Sequence, residues 1–398
     1  MYENLAIMAV FVFIYSAVAG AVEKRPMSGP IVFMAFGVLA GPIALGLMES
    51  KITAEMLRGF AELSLALVLF TDAANADIST LRRSFGLPER MLLIGLPITI
   101  VVGFLVGMLF FPNLPLLQVA LIAVMLAPTD AALGKGVFAN PKVPVRVREA
   151  LNVESGLNDG ICVPILYLFL ALAISTETAS RPIGLALTLL AREIGIGLVV
   201  GLGITALGAV VLKLSMARRW VQENWLPVPV VALAFACYAT AQSLEGSGFI
   251  ACFVGGLLFD IMYKRGKHQV LEAAEGMGNT LALITWVIFG FAVVGQALPA
   301  LTWSIVIYAL LSLTIIRILP VYLSLAGTGE GVYSKLFMGW FGPRGLASIV
   351  FVIMVWQKNL PGGKTMAITV VCTVIMSVIA HGLSANPMAK LFGRFKIE

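Results

Sequence analysis

The sequence predicts an all-α polytopic membrane protein of about thirteen transmembrane helices, built as two inverted six-helix repeats around a connecting helix. Three observations carry this prediction. Of 398 residues, 60% are hydrophobic and 12% charged, half the charge of a typical soluble domain at about 25%. Apolar runs close to the ~20 residues needed to cross a hydrocarbon core recur from end to end. Two of these runs, at matching places in the two halves, are interrupted by Pro beside a charged residue.

The spans fall near residues 4–22, 28–48, 56–75, 90–111, 115–135, 147–174, 183–213, 226–244, 247–263, 272–295, 299–324, 333–356 and 364–386. The first lies in MYENLAIMAVFVFIYSAVAGAVEKRP, with no basic segment ahead of the apolar run and no clear small-residue cleavage site. It reads as a span and not as a removed signal peptide. A single transporter domain over 1–398 would divide into a first repeat at 1–174, a connecting helix at 183–213 and a second repeat at 226–386. An odd, long seventh helix gives the two halves opposite orientations, as in many secondary transporters.

Charge in alternate loops sets the orientation. One set holds Lys24, Arg25, Arg82, Arg83, Arg90, Lys135, Lys142, Arg146, Arg148, Lys213, Arg218, Arg219, Lys264, Arg265, Lys267, Lys335, Lys390, Arg394 and Lys396. The other holds Lys51, Arg58, Arg181, Arg192, Lys358 and Lys364. The positive-inside rule puts the first set in the cytoplasm, with the N-terminus outside and the C-terminus inside a cell inner (plasma) membrane. Topology thus accounts for the net charge of +6, and no nucleic-acid partner is required. Cys162, Cys237, Cys252 and Cys372 sit apart in apolar runs without metal spacing and read as small apolar fillers.

Two basic residues, Arg317 and Arg344, remain inside apolar segments. The interrupted runs read VMLAPTDAALGKG in the fifth span and GWFGPRGLASIV in the twelfth. Paired broken helices are the best sequence pointer to a midplane site. A carboxylate at that depth costs at least ~2.5–3.5 kcal/mol, so each needs a partner or a watery cavity. The candidates are Asp72, Asp130, Glu154 and Asp159, with Thr129, Ser155 and Asn158 beside them.

NVESGLNDGI, residues 152–161, resolves into two helical stripes. Ser155 and Asp159 are four apart on one, Glu154 and Asn158 on the neighbouring one. The first offers hard oxygen ligands suited to a small hard cation. The Glu154 carboxylate wants neutralising, and Arg317 in LTIIRILPV is a partner the chain permits. At the fifth-span break, Pro128 frees the Thr129 carbonyl and hydroxyl, and Asp130 reaches an adjacent cavity. Arg344 would offset carbonyl dipoles at the second break. Asp72 in LVLFTDAAN is a further oxygen ligand or proton carrier, or else an interfacial Asp near the cytoplasmic end of the third span. Glu62, Glu193, Glu245 and Asp260 lie near span ends, where solvated positions are expected. His268 lies in a basic loop, and His381 has no His, Cys or carboxylate near it in sequence.

An intramembrane Glu-Ser-x-x-Asn-Asp, preceded by a Pro-Thr-Asp break, resembles the NhaP/NHE-like branch of the monovalent cation:proton antiporters. The similarity extends over most of the chain, including the span number, the long connecting helix, the Arg of the eleventh span and the Gly-x-Arg-Gly break of the twelfth. The resemblance implies an NhaA/NhaP-like antiporter fold. It makes Asp159 the central ion- and proton-binding carboxylate, with Ser155 and the Thr129 carbonyl as Na⁺ ligands beside the Asp72 read above and Asp130 acting nearby through water. Glu154 and Arg317 become a buried structural pair. Asn158, where the electrogenic branch has Asp, goes with electroneutral exchange. The family works as a homodimer in the lipid bilayer, a core domain moving against a dimerisation domain. Two residues depart from the family pattern: Ala131 stands where Pro usually follows Thr-Asp, and Thr71-Asp72-Ala73 replaces a Glu-Gly-Gly type sequence.

The function expected is secondary antiport of Na⁺, or Li⁺, for H⁺, with the two ions competing for Asp159 and with no cofactor and no enzymatic step. K⁺/H⁺ exchange and a passive cation channel use the same ligand types. An intramembrane protease would need a Ser-His or paired-Asp constellation, and no Gly-x-Ser-x-Gly or Asp-Asp motif is present.

Overall fold

The computed structural model describes residues 2–22, 27–42, 44–47, 54–76, 86–130, 133–138, 140–178, 182–222, 225–226, 228–264 and 267–395. Lys24, Arg25, Lys51, Arg82, Arg83, Ala131, Arg181, Arg265 and Lys396 lie outside them. The described residues form helices α1 (Tyr2–Val22), α2 (Gly29–Ala40) and α3 (Ala54–Asn75). Next come α4 (Leu87–Phe110, with a π-helical turn at Met91–Gly95), α5 (Leu116–Met125), the short α6 (Lys135–Phe138) and α7 (Val145–Thr178). The second half continues with α8 (Pro182–Ala217), α9 (Val228–Ser243), α10 (Gly248–Met262) and α11 (Lys267–Phe289, extended by a π turn at Gly290–Val294). It closes with α12 (Trp303–Leu313), α13 (Ile315–Ser324), α14 (Val332–Trp340), α15 (Leu346–Trp356) and α16 (Gly363–Phe395).

Every predicted span contains helix, and seven helices among the described residues are long and apolar enough to cross a membrane. In lipid the backbone must satisfy its own hydrogen bonds, which is why helix dominates. Helix starts are locally specified. The Ser247 hydroxyl accepts the Ile250 N–H at 3.2 Å to cap α10, and Thr302 does the same for Ile305 at 3.4 Å on α12.

Departures from the predicted boundaries have local causes. The second span is helical only to Ala40, because Gly41 is extended ahead of Pro42, which disfavours helix in its predecessor. The last helix runs past Pro387 to Phe395. Packing carries it: Ala385, Ala389 and Phe392 are buried, with Phe392 edge-on to Phe337 of α14 at 4.6 Å. The eleventh span is broken at Thr314 into α12 and α13. There the Thr314 hydroxyl takes the Leu310 carbonyl at 2.7 Å, and its N–H turns to Leu311 instead. Asp260, expected to be solvated, is fully buried and accepts from Lys264 at 3.1 Å and Lys267 at 2.6 Å. Lys267 also donates to the Ala74 carbonyl at 2.7 Å, closing the end of α3.

The helices pack in two groups. One contains α2, α3, α8, α9, α10 and α11; the other contains α4, α5 and α12 to α16. Close crossings hold the first group. A Cβ on Gly37 would strike the Val287 carbonyl, and one on Gly290 would strike the Met34 carbonyl, so α2 and α11 approach backbone to backbone. Lipid offers no hydrophobic drive between helices, and small residues permit this contact instead. Helix α7 lies between the groups, packed on α5 on one side and on α3, α8 and α10 on the other. That position sets up the site.

Candidate functional site

The two interrupted spans meet at their breaks. After α5 the chain is non-helical through Leu126–Asp130, and between α14 and α15 it is non-helical through Phe341–Gly345. The Asp130 N–H donates to the Pro343 carbonyl at 2.7 Å, and Asp130 Oδ2 accepts the Leu346 N–H at 2.9 Å. A Cβ on Gly345 would overlap the Asp130 side chain, so glycine is what admits the carboxylate. Asp130 therefore caps the positive N-terminal end of α15, a stabilising position for an anion. The expectation that it serves the ion through water is joined by this direct structural duty.

Arg344 is fully buried. Its guanidinium does not serve its own break but reaches the first one. Nη1 donates to the carbonyls of Ala127 at 2.8 Å and Pro128 at 3.1 Å. These carbonyls follow the C-terminal end of α5, where a cation is favourable. The Ser348 hydroxyl takes the Met125 carbonyl at 2.7 Å. Each break thus supplies the charge that the other break's half-helix requires.

Helix α7 presents both predicted stripes to Thr129. The Ser155 hydroxyl donates to the Thr129 carbonyl at 2.6 Å. Asn158 donates to Thr129 Oγ1 at 2.6 Å and to Glu154 Oε1 at 3.1 Å, while its Oδ1 accepts the Thr129 N–H at 3.2 Å. The Thr129 hydroxyl faces Glu154 Oε2 at 3.4 Å. Arg317 closes on Glu154 with two parallel bonds, Nη1 to Oε1 and Nη2 to Oε2, both 2.9 Å, with each side chain 1% exposed. This two-pronged geometry is the strong form of an Arg–carboxylate contact. The break at Thr314, three residues before Arg317, was not legible in the sequence beyond a nearby Pro.

Asp159 is 7% exposed, and its buried Oδ1 makes no hydrogen bond. The charges acting on it are those of Asp130, Asp72 and Glu154, all acidic, and of Arg344. Asp72 comes in from α3 and packs against Gly156, next to Ser155. Oxygen groups of Asp159, Ser155, Thr129 and Asp72 are therefore gathered around one stretch of α7. A buried anionic oxygen without a donor, among other oxygens, is suited to bind a hard cation or a proton.

His381 is buried and fully engaged. Its Nε2 meets the Trp340 carbonyl at 2.8 Å, and its Nδ1 lies 3.0 Å from the Ser377 carbonyl and 3.2 Å from Ser377 Oγ. Ser377 Oγ also accepts the Arg344 N–H at 2.6 Å. Ser377 and His381, four residues apart on α16, are two protease-type groups in contact. Both brace the second break, and the ring's far nitrogen faces a carbonyl where a catalytic triad would need a carboxylate. A crevice of 640 Å³ elsewhere, lined by Tyr15, Asn140, Asn279, Trp286 and Asn386 among others, includes none of the candidate ion ligands.

The chain is similar in sequence and in fold to known proteins. The solved structure of the sodium proton antiporter MjNhaP1 from Methanocaldococcus jannaschii superposes with a TM-score of 0.77 at 22% identity, covering 99% of this chain and 100% of that one. The K(+)/H(+) antiporter NhaP2 of Shewanella oneidensis is 27% identical over 379 residues, 91% of this chain and 62% of the relative. The K(+)/H(+) antiporter NhaP of Alkalimonas amylolytica is 27% identical over 394 residues, 97% of this chain and 67% of the relative. The Na(+)/H(+) antiporter of Schizosaccharomyces pombe is 26% identical over 323 residues, 72% of this chain and 67% of the relative. The chain thus spans 62% of the length of the Shewanella relative. Residues 7–391 match the family described as sodium/hydrogen exchanger, transmembrane, and the chain belongs to that family.

Proposed function

We propose that the chain exchanges a monovalent cation for a proton across the cell inner (plasma) membrane, electroneutrally, with Asp159 as the shared binding group. The observation that carries this is the buried Asp159 oxygen without a hydrogen-bond donor, set beside Ser155, the Thr129 carbonyl and Asp72 where two broken helices cross. A cation or a proton each neutralises Asp159, and Asn158 adds no second titrating charge. The two loaded forms therefore carry equal charge, and a cycle moves none. Exposure of the loaded site to one side at a time couples the two gradients.

Na⁺ is the ion we assign, with Li⁺ as an accepted substitute. K⁺ is the second reading, favoured by the names of the Shewanella and Alkalimonas relatives. We take the halves 1–174 and 226–386 as inverted repeats, with the N-terminus outside and the C-terminus cytoplasmic, supported by the loop charges. A homodimer in the bilayer fits the sparse packing of α1, of whose apolar window 6% is buried within the chain.

The test is exchange in proteoliposomes loaded with a pH-sensitive dye, driven by Na⁺, Li⁺ or K⁺, with and without a clamped voltage. Saturable, gradient-reversible proton flux unaffected by voltage is the expected result. Cation flux uncoupled from protons would make the protein a channel, and voltage-dependent exchange would rule out electroneutrality.

A further inference from the structure

The outer face of α13 and the neighbouring α14 enclose an apolar groove of 500 Å³, lined by none of the candidate ion ligands. Ile315, Ile318, Leu319 and Tyr322 line it from α13, and Val332 and Leu336 from α14. The α13 residues recur at intervals of three and four, so they form one stripe of that helix. Ile315, Leu319, Val332 and Leu336 are exposed, while the opposite stripe of α13 is buried and carries Arg317, the partner of Glu154. The two helices meet closely at Gly339, where a Cβ would stand 3.0 Å from the Ile318 Cα.

With the C-terminus cytoplasmic, α13 descends toward the cytoplasm and α14 returns from it. The groove then runs from Thr314, at depth, to Tyr322 and Val332 at the cytoplasmic interface. Eight residues of helix cover ~12 Å, close to the ~15 Å of one leaflet in a hydrocarbon core of about 30 Å. At the deep end the Thr314 hydroxyl donates back to the Leu310 carbonyl. The interfacial end is cationic. The Lys335 ammonium stands 5.5 Å from the centre of the Tyr322 ring, within the range of a cation–π contact. Two other cations reach the loop between α13 and α14 and are held there, Arg90 by the Ala326 carbonyl at 2.6 Å and Arg146 by Glu330 at 3.2 Å. Lys335 pairs with no carboxylate among the described residues.

We propose that this groove binds a phospholipid of the cytoplasmic leaflet, with one acyl chain along Ile318, Leu319 and Leu336 and an anionic headgroup meeting Lys335. An apolar furrow gives water too few polar partners to settle there, and its walls lose dispersion contacts wherever it stays unfilled. Tyr is enriched at headgroup level in membrane proteins, and a Lys near the cytoplasmic surface favours anionic lipid. The bound chain braces α13, a ten-residue helix cut from α12 at Thr314, on the face opposite Arg317. It therefore supports the Glu154–Arg317 pair from outside and takes no part in holding the ion. Only the choice of leaflet rests on the orientation proposed above; the groove, its length and its cation do not.

The test uses the full chain in phosphatidylcholine vesicles holding a trace of photoactivatable lipid, with a diazirine in the acyl chain and either a phosphatidylglycerol or a phosphatidylcholine headgroup. Adducts are mapped by peptide mass spectrometry. Labelling of α13 and α14 is expected, about fivefold stronger from phosphatidylglycerol, the preference that one lysine near the surface confers. Lys335→Gln should bring the two lipids to parity, and Lys335→Arg should keep the preference. Leu319→Trp, which fills the groove, should abolish labelling there by both lipids while adducts on the exposed Leu198 and Val199 of α8 stay unchanged. Equal labelling by the two lipids in the wild type, a preference that survives Lys335→Gln, or undiminished labelling in Leu319→Trp would each overturn the proposal. So would an absence of adducts from α13 and α14, and a Leu319→Cys disulfide between copies would then give the groove to a second copy of the chain. Labelling is read without transport, so a protein that exchanges no cation for protons would lose the antiport reading and keep the lipid site.

Discussion

Ser155 gives its hydroxyl hydrogen to the carbonyl oxygen of Thr129 across 2.6 Å, joining a regular helix to the broken one beside it. Two oxygens wanted for cation binding are thus already in contact, and the hydroxyl keeps both of its lone pairs to offer an ion while its hydrogen stays on the carbonyl. Ser155→Ala removes one ligand and leaves the Thr129 carbonyl without its donor. The loss of one such contact is worth about 1–1.5 kcal/mol, about tenfold in affinity. Half-saturating cation concentration should rise by about that factor, while the maximal rate changes less. An unaltered half-saturation would take Ser155 out of the ion's coordination.

Glu154 and Arg317 predict a stability effect more than a transport effect. Removing one member of a buried pair strands the other charge, at a cost of ~3–5 kcal/mol. Glu154→Ala and Arg317→Ala should each lower thermal stability in detergent markedly, and Glu154→Met combined with Arg317→Met should recover much of the loss. Wild-type melting in both single variants would show that the pair is not structural.

Asp130 can be separated from the ion ligands by comparing two substitutions. Its Oδ2 caps α15 through the Leu346 N–H, and losing a cap costs about 0.5–2 kcal/mol. Asp130→Asn keeps an acceptor and should retain most of the stability; Asp130→Ala should not. Equal stability of the two variants would argue against the cap.

Asn158 supplies donors to Thr129 and Glu154 that a carboxylate lacks. Asn158→Asp places a second anion about 3 Å from Glu154 Oε1, where one Arg317 serves both. The variant should be less thermally stable than wild type, with a larger deficit at pH 8 than at pH 5, since the protonated acid regains the missing donor. A deficit independent of pH would mean that the lost hydrogen bonds, and not the added charge, are what matters.

The sequence is legible here to the extent that chemistry is local. Apolar runs marked stretches that all contain helix, and two Pro-charge interruptions marked the breaks, because crossing a bilayer constrains each segment by itself. The stripe spacing of Glu154, Ser155, Asn158 and Asp159 followed from helix geometry alone. Relations across the fold were less visible. Arg344 was expected to serve its own break and instead satisfies Ala127 and Pro128, a target set by how the two breaks cross. Ser377 and His381 showed no role until Trp340 and Arg344 were brought to them. The Thr314 break depends on a hydroxyl choosing the Leu310 carbonyl, a choice many mid-helix threonines make without breaking the helix. Gly156 could be understood only once Asp72 was seen to pack against it.

The central claim is that one carboxylate, Asp159, takes either the cation or the proton. The most direct test is the half-saturating Na⁺ concentration for exchange, measured in proteoliposomes from alkaline to acid pH, with K⁺ run alongside. Competition at a single group requires it to rise as pH falls, approaching tenfold per pH unit where protons hold the site, with an unchanged maximal rate at saturating cation. A half-saturation equal at mildly acid and alkaline pH would contradict the account and place the two ions on separate groups.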